Sequence, residues 1–191
     1  MTQPQPNRRL GLDLIGRKGR TMNNSILDLK PISRTRRNHG LEHATMHILG
    51  RKFPQVALAG HSDPNGYTII GNVDTEDVAE AAIEALKKLR EGQSQLAVHK
   101  NCGTNFAVSG TFAGLAALLG TLGTGKEFKN KVARLPLMIV LATAALVVAQ
   151  PLGPIIQKQI TTSGDPEALE LVRVETAIRA GQKFHRVITE G

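Results

Sequence analysis

The stretch HKNCGTNFAVSGTFAGLAALLGTLGTG, residues 99–125, decides how this chain is read. It opens on a histidine and the only cysteine of the sequence, spaced H-x-x-C. From Asn101 to Gly125 it holds no Asp, Glu, Lys or Arg. A bilayer core about 30 Å thick is crossed by about 20 apolar helical residues rising about 1.5 Å each. The run has that length, and its Gly, Ala, Ser and Thr are small enough for helix backbones to approach closely inside lipid. A second charge-free run, Leu135–Gln157, follows a short basic segment, Gly125–Arg134, and is interrupted at Gln150-Pro151 and Gly153-Pro154. Two such runs in 191 residues predict a two-helix membrane hairpin over 106–157.

Upstream, residues 37–105 read as a small α+β domain. Asn38 is a suitable N-cap for a helix over 38–51, in which Leu41, Ala44, Thr45, Ile48 and Leu49 recur at helical spacing. Val56–Gly60 and Tyr67–Val73 flank the turn residues 61–66 and predict a hairpin. Asp74 or Thr75 then opens a helix to Arg90, with Val78, Ala81, Ala82, Ala85, Leu86 and Leu89 on one face. Its acids come early and its bases late, as the helix dipole favours. Gln95–His99 reads as a short strand, giving the order helix, strand, strand, helix, strand. Downstream, Asp165-Pro166 starts an amphipathic C-terminal helix within 158–191, carrying Leu171, Val174 and Ile178 as a stripe.

The net charge is +8, and the excess is uneven: residues 1–56 hold eleven Lys or Arg against three acids. Residues 1–36 therefore read as a basic arm, attractive to anionic lipid or to nucleic acid. Aromatics are only 3% of the chain, with no Trp, which disfavours single-stranded nucleic acid because that ligand needs stacking platforms. One cysteine excludes an intrachain disulfide. The first twenty residues lack the apolar core of a secretory signal. The expectation is a bacterial inner-membrane protein with its N-terminal domain in the cytoplasm.

The chemistry concentrates in His39-Gly40-Leu41-Glu42-His43. On a helix, residues four apart stack on one face, so His39 and His43 present two imidazoles to one ion while Glu42 flanks it. H-x-x-E-H is the order in which a glutamate acts as general base on a metal-activated water. Zinc needs three protein ligands for catalysis and four for a structural site. The chain offers His99 and Cys102 to complete either set. The candidate ligands of zinc or another divalent transition metal are thus His39, His43, His99 and Cys102, with Glu42 as catalytic base. His47 can serve as an alternative ligand or orient one. His61 in the turn and His185 in the tail helix read as solvated or packed imidazoles. A shared site requires the two motifs to lie within about 8 Å, given bonds of about 2.0–2.3 Å.

His39, Gly40, Glu42 and His43, followed by His99, Cys102, Gly103, Thr104 and Phe106, resemble the YqhQ-like bacterial membrane proteins, catalogued as predicted metal-dependent enzymes. Leu41, Ala44, Lys100, Asn101 and Asn105 depart from that pattern. The resemblance covers roughly residues 38–106 and implies membrane placement and a metal. Arg36 to Ala44, RRNHGLEHA, also resembles a smaller set of uncharacterised bacterial proteins.

Two functions compete. In the first, the chain is a membrane-associated accessory or scaffold protein whose His/Cys cluster is a structural metal clip, with lipids and other membrane subunits as partners. In the alternative it is a membrane-bound metal-dependent hydrolase, peptidases among them, in which Glu42 activates water and Arg37 or Lys100 polarises the oxygen under attack. Nucleic-acid binding through the arm is a third, weaker reading.

Overall fold

The computed structural model describes residues 25–125 and 127–191. Most of the expected basic arm, residues 1–24, lies outside the described residues. Helix α1, Lys30–Lys52, starts earlier than the sequence suggests, because Pro31 sits in its first turn, where its missing N–H costs nothing. Strands β1, Ala59–Asp63, and β2, Gly66–Ile70, form a hairpin closed by Pro64-Asn65, with Asn65 donating its N–H to Asp63 Oδ1 at 2.7 Å. Helix α2, Thr75–Arg90, falls where its periodicity placed it.

Two expectations fail. Gln95–His99 is not a strand: Ser94–Ala97 is a 3-10 turn lying along α1. The carbonyls of Ala97 and Val98 accept from His43 and His47 of α1 and so are not available to a sheet. The C-terminal amphipathic helix is a β-hairpin, β3 Glu170–Arg179 and β4 Gln182–Glu190. Its turn is Ala180-Gly181, both at positive φ (49° and 77°), as two-residue hairpin turns require. In β4, His185, Val187 and Thr189 are buried and alternate with more open Phe184, Arg186 and Ile188, a period of two rather than 3.6. His61 also moves, from a turn into β1, and His185 from a helix into the sheet.

The C-terminal hairpin completes the sheet. Strand order is β1-β2-β4-β3, all antiparallel, with Tyr67 opposite Val187 and Ile69 opposite His185. Helices α1 and α2 pack against each other and on one face of the sheet. Between them and the sheet lies a core of Leu41, Leu49, Tyr67, Ile69, Val78, Ala82, Ala85, Leu169 and Val187. Tyr67 is fully buried, and its hydroxyl meets Thr45 Oγ1 at 2.8 Å, so its one polar atom has a partner. The domain is therefore α+β, but its sheet is assembled from both ends of the described chain.

The region 103–157, two charge-free runs joined by the basic segment, sits between the two halves of that sheet. It forms α3 Gly103–Leu119, α4 Phe128–Ala133, α5 Leu135–Ala149 and α6 Leu152–Ile156, the last running into a π-helical turn, Gln157–Thr161. Helices α3 and α5 pack on one another, and α3 buries no residue. Leu115, Leu118, Ile139, Val140 and Val148 remain 58–64% exposed. Among the described residues no single helix is long and apolar enough to cross a membrane; Leu135–Ala149 with Leu152–Thr161, bent by 48°, meets the length and composition together.

Candidate metal centre

Helix α1 carries His39 and His43 one turn apart, and their rings lie 4.3 Å centre to centre. Each has its Nδ1 committed to a backbone carbonyl. His39 donates to Thr161 O at 2.9 Å and His43 to Ala97 O at 2.8 Å. Those bonds fix the tautomer, leaving the Nε2 lone pair of each ring as the metal-binding atom. Cys102 is the N-cap residue of α3, and its Sγ lies 3.4 Å from His39 Nε2.

The ligand atoms of His39, His43 and Cys102 all lie within 4.8 Å of one another, close enough to hold one metal ion. Zinc–nitrogen bonds of about 2.0–2.1 Å and zinc–sulfur bonds of about 2.3 Å fit such a triangle after small side-chain rotations. The donor set, two neutral imidazoles and a soft sulfur, suits zinc and related transition ions. Burial pushes the Cys102 thiol up, but hydrogen bonding to His43 and to Thr104 more than offsets it, so the thiol sits below its ordinary pKa. That is the direction that favours the thiolate a metal needs.

His99 is near but apart. Its Nδ1 accepts from the Asn101 N–H at 3.3 Å, and its ring packs 4.8 Å from His47 and 5.7 Å from His43. Burial, with the neighbouring His47, His43 and Lys100, lowers its pKa to about 4. It is not part of the three-residue group. His47 donates from Nε2 to Val98 O at 2.9 Å and packs on His99 rather than joining the triangle. Arg37 is paired with Glu167 at 3.1 Å, and Lys100 does not line the cleft described next.

Two of the three, His39 and Cys102, line a cleft of about 630 Å³ whose wall also includes Glu42, Gly60, His61, Ser62 and Thr104. Glu42 is buried, and one carboxylate oxygen accepts a hydrogen bond from Ser62 Oγ. Burial raises its pKa above the ordinary carboxylate value, against the opposing pull of Ser62, His39 and His61. A raised carboxylate beside a metal triangle is suited to accepting and returning a proton. Sequence reasoning missed Ser62 and Gly60, because only the packing of β1 against α1 brings them to Glu42. A methyl on Gly60 would lie 2.1 Å from Glu42 Oε1.

The end of the apolar helices is tied to this centre. Gln157 is fully buried and donates from Nε2 to His99 O (3.1 Å) and Asn105 Oδ1 (2.5 Å). Its Oε1 accepts the His99 N–H at 2.9 Å. With the bond from His39 to Thr161, the π-helical turn is fastened to α1 and to the loop that carries Cys102. π-helical turns recur at functional sites.

The family described as "Domain of unknown function (DUF6391)" matches residues 34–174, which include His39, Glu42, His43, His99 and Cys102. An uncharacterised protein of the cyanobacterium Picosynechococcus sp. is 32% identical over 142 residues, which is 67% of this chain and 65% of that protein's length. The chain thus spans just under two thirds of the relative it matches. No solved structure matches it.

Proposed function

Because the chain belongs to the DUF6391 family, whose function is unknown, its role has to be read from its own residues, and we propose that it is a metal-dependent hydrolase seated at a lipid bilayer. The membership bears out the sequence resemblance at its coarser level, a family of uncharacterised proteins. Kinship to the YqhQ-like proteins, with the chemistry their label carries, is part of what we propose.

One observation carries the reading: two oriented imidazoles and a thiol converge beside a cleft that His39, Cys102 and Glu42 line. Three protein ligands with an accessible side is the catalytic pattern; four closing the site is the structural one. The accessory reading needs a fourth ligand, and His99, which the sequence offered, lies outside the group. A divalent ion held by His39, His43 and Cys102 would supply a water acidified from far above the physiological range to a pKa of about 7. Glu42 takes the proton and passes it to the leaving group. Ser62 orients the carboxylate, and Thr161 O and Ala97 O hold the two imidazoles in the required tautomer.

The bilayer part rests on α3, α5 and α6. Large apolar side chains exposed on every side of a helix pair are costly in water and ordinary in lipid. Lys129, Lys131 and Arg134 at the tip between α3 and α5 suit anionic headgroups. Further membrane subunits can use the same small-residue surface.

The test is Glu42→Gln in full-length protein, with metal content by mass spectrometry and hydrolysis of 4-nitrophenyl butyrate measured together. Metal retained near one equivalent, with hydrolysis reduced by about 10²-fold or more, is expected of a lost general base. Hydrolysis unchanged at full metal content contradicts the role assigned to Glu42. Loss of the metal makes Glu42 a ligand or its support.

A further inference from the structure

We infer that the substrate of this centre is an uncharged acyl amphiphile, a carboxylic ester or amide bearing an apolar chain, which enters the cleft from the bilayer. The inference rests on the hydrolase reading and adds the substrate class. Three features of the cleft carry it.

The first is the division of its wall. The lining joins apolar Leu27, Pro31, Ile32 and Ile160 to reactive His39, Glu42, Ser62 and Cys102, and along α1 the apolar members come from the first turn while His39 and Glu42 come from two to three turns further on. A molecule matching both has a reactive polar group at one end of an apolar chain. The volume of about 630 Å³ is that of a small-molecule site, in the usual range of about 300–1,000 Å³.

The second is charge. Among the described residues, apart from imidazoles, the cation lining the cleft is Arg36, and its Nη2 donates to the carbonyls of Gln159 (3.0 Å) and Thr162 (3.2 Å). Arg37 is paired with Glu167. With a divalent ion held there, the Cys102 thiolate and buried Glu42 would offset its two charges, so among the described residues little net positive charge faces a phosphate or carboxylate at the reacting bond, and a neutral carbonyl is favoured.

The third is continuity. Ile160 belongs to the π-helical turn that ends the bent apolar pair, and Gly103 and Thr104 begin α3. Phe106, two residues further on, is 70% exposed. The apolar lining of the cleft therefore runs into the apolar helix surfaces, and a chain can pass between them without crossing water.

The reaction balances as a hydrolysis. Water adds across the acyl C–O or C–N bond, its oxygen going to the carbonyl carbon. Glu42 accepts one proton and returns it to the departing alcohol or amine, and a carboxylic acid remains. No oxidant or reductant is needed.

The test reads binding rather than turnover. Full-length, metal-free protein in phosphatidylcholine nanodiscs is irradiated with a palmitamide carrying a diazirine at its chain end, and the labelled residues are mapped by mass spectrometry. Labelling at Leu27, Ile32 or Ile160 is expected. Ile32→Asn and Ile160→Asn, made separately so that one misfolded variant does not decide the outcome, should each lower it about tenfold, as loss of a buried apolar contact predicts. Labelling confined to α3 and α5, or unchanged in both variants, overturns the inference. So does protection of the cleft by a capped apolar hexapeptide from a probe-independent surface label when the palmitamide gives none, which assigns the cleft to a peptide. Labelling without metal or turnover is independent of the Glu42→Gln result, so failure of either can be told from failure of the other.

Discussion

Glu42 occupies the space that a side chain on Gly60 would need, its Oε1 lying 2.1 Å from where that methyl would sit. Helix α1 and edge strand β1 can approach this closely only because residue 60 has no Cβ, and the approach delivers Ser62 Oγ to the carboxylate. The atom in the way is the end of a flexible side chain, so Gly60→Ala should displace Glu42 rather than unfold the protein. The expected result is a stability loss of about 1–3 kcal/mol by urea denaturation, normal metal content, and hydrolysis reduced in the same direction as in Glu42→Gln.

Gln157 should prove structural. Replacing it with Leu keeps the volume but leaves the His99 N–H without its partner inside the protein, while the His99 carbonyl still accepts from the Cys102 N–H. An orphaned buried polar group costs about 1–3 kcal/mol, and the cost should appear as lower stability together with weaker metal binding, because the loop so anchored carries Cys102. Unchanged metal affinity in Gln157→Leu would show that the Cys102 loop holds its place without this clasp.

What the sequence disclosed depended on whether the determining contacts were local. Helix α2 was legible because Val78 to Leu89 repeat at helical spacing and the end charges agree with the dipole. The pairing of His39 with His43 followed from helix geometry, and the approach of Cys102 from the chemistry of its neighbours. The tail was misread because Leu171, Val174 and Ile178 also satisfy a helical stripe. What decides is Ala180-Gly181 as a two-residue turn and the vacant edge of β2, more than 100 residues away, which β4 fills. Likewise His99 looked equivalent to the other ligands. Its Nδ1 is instead taken by a backbone N–H two residues on, which depends on the local turn and not on residue type.

The C-terminal hairpin should be essential to the core. Gly181, at φ 77°, tolerates a β-branched residue poorly. Gly181→Val should cost about 1–2 kcal/mol through the left-handed backbone alone. The shift is read from the denaturation midpoint, and a variant as stable as the parent would contradict the turn.

Acid should weaken the sheet through His185. Burial, assisted by the Lys183 ammonium and opposed by the Asp74 carboxylate, holds this imidazole below its ordinary pKa. From about pH 6.5 downward the unfolded chain therefore takes up a proton that the folded chain refuses. Stability falls as the pH drops toward the folded-state value. In urea titrations at pH 7.5 and 5.5, His185→Gln should lose less stability than the parent; an equal loss would remove His185 from the acid response.

The account stands on His39, His43 and Cys102 sharing one ion, and Co²⁺ titration of the full-length protein followed by absorption tests that most directly. One equivalent should give the visible bands of a tetrahedral site together with a thiolate-to-cobalt charge-transfer band. Cys102→Ser should abolish that band, and His99→Ala should leave it in place. Absence of stoichiometric binding, or a spectrum that Cys102→Ser does not change, would contradict the centre itself.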